Sequence, residues 1–236
     1  MLNKLTKKIK TIYYKSSSTR YIAYLRKKGI KIGNGTVIFA PKQIQIDTTR
    51  PELVEIGDHV FIHRGTIIQT HDWASWCFLE KYNDFIPSHA RVKIGNNVWL
   101  GENVSILKGV TIGNNVIIGL GSIVTKSIPN NSIAVGCPAR VIGNIDDYYE
   151  KRKKQYVDEC VEYARCIIRS GREPQVQDFY DDYPTFVDGR NVNQYEYPYR
   201  RIFSKNQFEN WKKHHKAEFK SFEEFMEYVR AKSNKK

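Results

Sequence analysis

Six histidines and four cysteines are the side chains of this 236-residue chain best suited to accept a proton or attack an electrophile near neutral pH. His71 has the most telling position. It stands where a run of regularly spaced aliphatic residues ends and a long irregular segment, residues 71–90, begins. Imidazole is the one side chain whose unperturbed pKa lies near neutrality, so a histidine there is either a general base or an ordinary polar loop residue. Position alone leaves both open. His59 and His63 suggest a metal pair, but ligands stacked on one face of a repeat need a separation near one full coil, and His59, His63 and His71 lie 4, 8 and 12 residues apart. His214 and His215 are adjacent and point apart in a helix. No metal is expected. Cys77 lies in the 71–90 segment with no identifiable basic or histidine partner, which a reactive thiolate needs, so no cysteine nucleophile is expected.

The element that must position His71 is announced by a period of six. Ile94, Leu100, Ile106, Ile112, Ile118 and Val124 recur at every sixth place, and an earlier block, Ile32, Ile38, Ile44 and then Ile56, Ile62, Ile68, keeps the same beat. Gly95, Gly101, Gly113 and Gly119 follow four of the later aliphatics. Val98, Val104, Val110, Val116 and Ser122 come four residues after them. A helix (period 3.6) or a half-buried strand (period 2) does not produce this pattern. A solenoid of very short parallel strands does, because one inward aliphatic per strand stacks on its equivalents in the coils above and below. The glycines and the pairs Asn96-Asn97 and Asn114-Asn115 suit corners where φ is positive.

From Ile94-Gly-Asn-Asn-Val-Trp-Leu-Gly through Ile112-Gly-Asn-Asn-Val-Ile-Ile-Gly to Gly136-Cys-Pro-Ala-Arg-Val-Ile142, the chain resembles the hexapeptide-repeat acyltransferases. More narrowly it is similar to the branch of maltose, galactoside and capsular-sugar O-acetyltransferases. Repeat, interrupting loop and terminal Gly-x-Pro-Ala-Arg occur in the order of that branch. The resemblance covers residues 30–145 and is silent on 146–236. It implies a left-handed parallel β-helix; the hand breaks the usual right-handed crossover rule and is taken from the resemblance alone.

The resemblance also implies a reaction: transfer of an acetyl or short acyl group from acetyl-CoA directly to a hydroxyl of a sugar, in a cell-surface polysaccharide or its precursor. His71 then matches the catalytic base. Trp99 matches a flat wall near the acyl end of the donor. Gly119, Leu120 and Gly121 permit close approach of the pantetheine amides, and Thr125, Lys126 and Arg140 match positions that meet the nucleotide phosphates, where Lys supplies a point charge and Arg a bidentate fork. Cys137 stands where the family often has Asn and is read as a turn filler. Asp47 falls near a carboxylate that touches the acceptor hydroxyl. The expected assembly is a homotrimer with three sites between subunits. An amino-sugar N-acetyltransferase or an antibiotic O-acetyltransferase would use the same fold, and a non-catalytic scaffold is the rival of a different class.

Within 71–90, Trp73, Trp76, Phe78, Tyr82 and Phe85 offer flat faces that suit sugar rings and equally suit docking onto a neighbouring subunit.

Charge is concentrated at one end. The net charge is +13, yet residues 1–46 hold eleven Lys/Arg and no Asp or Glu, Asp47 being the first acid. A basic head on a nearly neutral body points to a local role rather than nucleic-acid binding. Residues 1–30 read as a basic helical segment, with one helix over 2–14 and a second from a Ser18 cap to Gly29. Such a segment either covers the open end of the solenoid or lies on an anionic membrane through residues 1–28; the cover is the favoured expectation. Residues 31–145 form the solenoid, broken at 47–54 and 71–90. Residues 146–236 form a helical extension: a helix over Asp147–Arg169, a Tyr/Asp/Pro-rich stretch to Phe203, and two helices introduced by the Ser204-x-x-Gln207 and Ser221-x-x-Glu224 capping boxes. The aromatic stripe Trp211, Phe219, Phe222, Phe225 and Tyr228 reads as packing. With no run of eighteen apolar residues, no signal-peptide pattern and no paired cysteines, the expected location is the cytoplasm.

Overall fold

A computed structural model of the chain describes residues 12–188 and 205–233. The chain divides into two compact units, Met1–Tyr148 and Tyr149–Lys236.

The first unit is a parallel β-helix of four coils. The first coil carries β1 (Lys31–Ile32), β2 (Val37–Ile38) and β3 (Gln45–Ile46). The second carries β4 (Val54–Ile56), β5 (Phe61–Ile62) and β6 (Ile67–Ile68). A hairpin of β7 (His71–Asp72) and β8 (Ser88–His89) leaves the stack here. The third coil follows with β9 (Val92–Ile94), β10 (Val98–Leu100) and β11 (Ser105–Ile106), and the fourth with β12 (Thr111–Ile112), β13 (Val116–Ile118) and β14 (Ile123–Val124). A closing hairpin, β15 (Ser132–Gly136) and β16 (Ala139–Asn144), extends one face. The faces are β1-β4-β9-β12, then β2-β5-β10-β13-β15-β16, then β3-β6-β11-β14.

Each face places its hexad aliphatics in register. Ile32, Ile56, Ile94 and Ile112 stack on the first face, and Ile38, Ile62, Leu100 and Ile118 on the second. All are buried, each contributing about 1.5–3 kcal/mol by leaving water. On the third face the beat slips. Ile68 pairs with Ile46, not with Ile44. Ala40 adopts φ 52 and a 3₁₀ turn at Pro41–Gln43 follows, which inserts two residues before the strand. Ile44 is still buried, at the end of that turn.

Corner chemistry also differs in part from expectation. Asn97, Asn115 and Asn131 have positive φ, and their side chains form a ladder: Asn97 Nδ2 donates to Asn115 Oδ1 and Asn115 Nδ2 to Asn131 Oδ1, both at 2.9 Å. The glycines after the aliphatics are there for another reason. A Cβ on Gly95 would lie 2.6 Å from the Gly113 carbonyl oxygen, so the rungs close only without one.

Helix α1 (Ser18–Lys27) covers the first coil, placing Tyr21, Ile22 and Leu25 in the same hydrophobic core as Ile30, Ile32 and Ile38. Its N-cap is Ser17, whose hydroxyl accepts from the Arg20 amide, rather than Ser18. Ser18 Oγ accepts instead from the Ile38 amide at 2.9 Å, tying the helix to β2. The expected helix over 2–14 lies mostly outside the described residues. Segment 71–90 is more ordered than an irregular loop: β7 and β8 pair antiparallel and enclose α2 (Ser75–Tyr82), which ends at Asn83 with φ 52.

In the second unit, α3 (Ile145–Arg169, beginning in the first unit) leads to 3₁₀ turns at Val176–Phe179 and Tyr183–Thr185, then α4 (Lys205–His214) and α5 (Phe222–Ser233). Phe179 and Phe225 are fully buried at its centre, with Cys160, Ala164, Phe186 and Val229 around them. Of the aromatic stripe, Phe219 and Phe225 are buried in this core, Trp211 and Phe222 are half-buried at its margin, and Tyr228 is exposed. Ser221 Oγ accepts from the Glu224 amide, but the Glu224 carboxylate reaches the Lys220 amide rather than closing the box on Ser221. Ser204 lies outside the described residues.

Candidate active site

The third face brings Asp47 and His71 together. Asp47 follows β3 directly, and its amide donates to the Ile68 carbonyl at the end of β6, so the two rungs are adjacent. Three residues on from Ile68, His71 Nδ1 lies 2.6 Å from Asp47 Oδ2. The same oxygen accepts from the hydroxyl of buried Thr70. Oδ1 accepts from the Thr49 amide at 2.8 Å and the Thr49 hydroxyl at 2.7 Å. Every polar contact of this carboxylate is therefore internal. The sequence places Asp47 near the acceptor hydroxyl; in the fold its carboxylate lies against His71.

Asp47 is 7% exposed and His71 22%. Burial pushes the Asp47 carboxyl up, but the hydrogen bonds from Thr70, from the Thr49 hydroxyl and amide, and from His71 outweigh it and hold the group well below the usual carboxylate range. An ionised acceptor takes its proton from Nδ1–H, which fixes the tautomer and leaves Nε2 with the ring's lone pair. No hydrogen bond occupies Nε2 among the described residues. An imidazole oriented by a carboxylate through one nitrogen, with the other nitrogen open, can accept a proton there.

Lys108 fixes the strand that carries His71. Its Nζ donates to Asp72 Oδ2 and to Ser88 Oγ, and Ser88 Oγ reaches the same Asp72 oxygen at 3.2 Å. The base of the β7–β8 hairpin is thus bound to the third coil. Sequence reasoning passed over Lys108, Thr70 and Asp72. The register could have found Lys108: it stands two residues after Ile106, as Thr70 does after Ile68 and Lys126 after Val124.

The other expected site residues fall into two groups. Trp99, on β10 between Phe61 and Ile117 of the adjoining strands, is 41% exposed and lies 6.4 Å from the His63 ring. Gly119, Leu120 and Gly121 form the corner that follows β13, with Leu120 68% exposed and the Gly121 amide donating to Glu102. Arg140, on β16, pairs with Val135, whose side chain fills the space beside Gly119. These five belong to the second face and the corner that leads from it to the third. Thr125 and Lys126 are exposed at the opposite edge of the third face, in the row of His71 and Lys108. Five extended residues, roughly 16 Å, separate the two edges. Trp99 and His71 thus stand on different rows, Trp99 on β10 of the second face and His71 on β7 beyond the third.

On the excursion, Trp73, Trp76, Tyr82 and Phe85 are all exposed. Trp73 packs on Phe85 (ring centroids 6.0 Å) and Phe78 on Tyr82 (6.3 Å), so the aromatic faces are held but uncovered. Among the described residues, no three His, Cys, Asp or Glu side chains converge as a metal set.

The chain is similar to several known proteins. The profile of the bacterial transferase hexapeptide family (six repeats) matches residues 91–126. The protein CapG of Staphylococcus aureus is 43% identical over 127 residues, covering 54% of this chain and 73% of CapG. The galactoside O-acetyltransferase of Escherichia coli K12 is 57% identical over 105 residues, 43% of this chain and about half (51%) of that protein. Among solved structures, a maltose O-acetyltransferase from Clostridium difficile 630 superposes over 60% of this chain and 85% of its own, at 30% identity and a TM-score of 0.47.

Proposed function

The chain belongs to the hexapeptide-repeat transferases, with their left-handed parallel β-helix, and from that premise we propose that it acetylates a sugar hydroxyl using acetyl coenzyme A. The acceptor is a cell-surface polysaccharide or its precursor. The observation that carries the reading is the 2.6 Å contact between His71 Nδ1 and an Asp47 carboxylate whose other contacts are all internal. Relatives named as O-acetyltransferases support the same class of reaction.

In this reading His71 Nε2 accepts the proton of the acceptor hydroxyl as its oxygen forms a bond to the thioester carbonyl carbon. The tetrahedral adduct collapses with cleavage of the C–S bond, and the departing thiolate takes the proton from the imidazolium. Asp47 stabilises that transient cation and keeps the ring in place. A hydroxyl is a poor nucleophile towards a thioester until its proton has an acceptor, which is why the base is needed.

The separation of the two groups of site residues supports a cyclic homotrimer. A neighbouring copy would bring its Trp99, Gly119, Leu120 and Gly121 to the row of His71, Lys108, Thr125 and Lys126 along a subunit boundary. The pantetheine arm would run along that boundary, with the nucleotide phosphates near Lys126 and Arg140. No helix among the described residues is long and apolar enough to cross a membrane; we place the reaction in the cytoplasm, where the basic residues 1–28 could meet the anionic inner face of the membrane.

Incubating the protein with acetyl coenzyme A and a panel of sugar, amino-sugar and antibiotic acceptors, with detection of released thiol and mass analysis of products, tests the reading. An O-acetylated sugar is expected. Thiol release only with amino sugars or antibiotics, or with no acceptor at all, contradicts it.

A further inference from the structure

At the first-coil end of the same edge lies a cavity of about 340 Å³, lined by Tyr14, Lys15, Tyr21, Tyr24, Gln45, Ile46 and Thr48. Ile46 and Thr48 flank Asp47 in sequence, so this cavity adjoins the rung that holds His71. Its tyrosines form a ladder: Tyr14 and Tyr24 stack with centroids 4.7 Å apart, and Tyr24 and Tyr21 at 6.3 Å. Lys15 stands beside them, its Nζ donating to the Ile44 carbonyl at 2.7 Å and lying 5.1 Å from the Tyr21 ring centre.

Two features distinguish this cavity from a gap in packing. Its lining mixes aromatic rings with polar side chains (Gln45, Thr48, Lys15), the combination that receives the apolar face and the hydroxyl edge of a sugar ring. Lys15 is also half-buried without an anion: residues 1–46 contain no Asp or Glu, and no carboxylate pairs with Lys15 among the described residues. A partly desolvated ammonium with spare donors is a place for an anionic group.

The order of features along the edge gives direction. The rungs run from Thr48 on the first coil, through His71 on the second and Lys108 on the third, to Thr125 and Lys126 on the fourth. With the donor's nucleotide at the fourth-coil end, the acceptor chain must leave the base towards the first coil. We propose that the tyrosine-lined cavity is a subsite for the sugar unit next to the one being acetylated, and that it takes an acidic saccharide chain longer than one residue. This rests on the acetyltransferase reading of His71 and adds to it the length and charge of the acceptor.

The test uses the full chain with galacturonate oligomers of one to four units and neutral galactose oligomers of the same lengths, each measured as acetyl acceptor and by direct calorimetric titration. The acidic tetramer should show a KM about tenfold lower than its monomer, the factor a partly exposed charged contact supplies, and the neutral series a smaller gain. Tyr24→Ala and Lys15→Gln should remove that gain, with kcat on the monomer unchanged; Tyr14→Ala, on the other half-buried ring of the stack, guards against a folding loss at Tyr24. If no acceptor is acetylated but the tetramer binds in the titration and Lys15→Gln abolishes the binding, the subsite stands and the reaction reading falls. A length gain that survives all three substitutions, equal binding of neutral and acidic tetramers, or no binding of either overturns the proposal.

Discussion

Asp47 and His71 are 24 residues apart in the chain and 2.6 Å apart in the fold, because β3 and β6 are neighbouring rungs and each ends where its side chain can turn outward to the same edge. The carboxylate does three things there. It anchors the Thr49 turn, it ties Thr70 across the rung, and it orients the imidazole. Asp47→Asn keeps the shape but can donate to Nδ1 and favour the wrong tautomer. It should lower kcat by about 10²–10⁴-fold with little change in donor affinity, which steady-state kinetics and coenzyme A titration together would show. Loss of donor affinity with kcat preserved would take Asp47 out of this role.

Stability carries the same signature. The Asp47 carboxyl is held below its ordinary value in the folded state, so its stabilisation is fully present above the unfolded-state pKa near 3.8 and is lost as pH falls below it. Denaturant melts should show Asp47→Asn less stable than the parent at pH 7 by roughly 1.5–3 kcal/mol, the scale of a hydrogen bond to a charged group. The gap should narrow at pH 3. A gap constant from pH 7 to 3 would contradict the assignment.

Lys108 should matter through geometry. Lys108→Met frees Asp72 and Ser88 and loosens the strand bearing His71. The expected result is a fall in kcat of about ten- to a hundredfold, typical of a slightly misplaced catalytic group, with the melting temperature little changed. Lys108→Arg should recover part of the activity.

Lys126 and Arg140 should matter to the donor alone. Lys126→Ala and Arg140→Ala should weaken coenzyme A more than a form lacking the 3′-phosphate and the diphosphate, by up to roughly 1 kcal/mol each, since both side chains are exposed. Equal losses for both ligands would mean that neither residue meets the nucleotide phosphates.

The terminal helix should matter to folding. Leu25 is fully buried between α1 and the first coil, so Leu25→Ala should cost about 2–5 kcal/mol in a chemical melt. A near-neutral result would show the helix detached from the coil.

The hexad pattern was readable because a period of six puts one aliphatic on each face of the coil, and eleven of the twelve inward positions from Ile32 to Val124 follow it. It failed at Ile44, where Pro41 starts a 3₁₀ turn and the true rung residue is Ile46. That slip of two also moves Asp47 to the edge where His71 emerges. Helix α2 was hidden because an aromatic run such as Trp76-Cys-Phe-Leu79 with both faces exposed has no amphipathic period to detect. The cap at Ser17 rather than Ser18 is a one-residue choice set by tertiary contact, since Ser18 Oγ is taken by the Ile38 amide. The second unit declared its helices by pattern, but its centre at Phe179 lies in a turn that carries no periodic signal.

If His71 accepts the acceptor's proton, turnover of His71→Ala with acetyl coenzyme A and the best acceptor falls in kcat by roughly 10²–10⁴-fold while its affinity for coenzyme A is preserved. A variant that keeps more than about a tenth of the parent's turnover would contradict it.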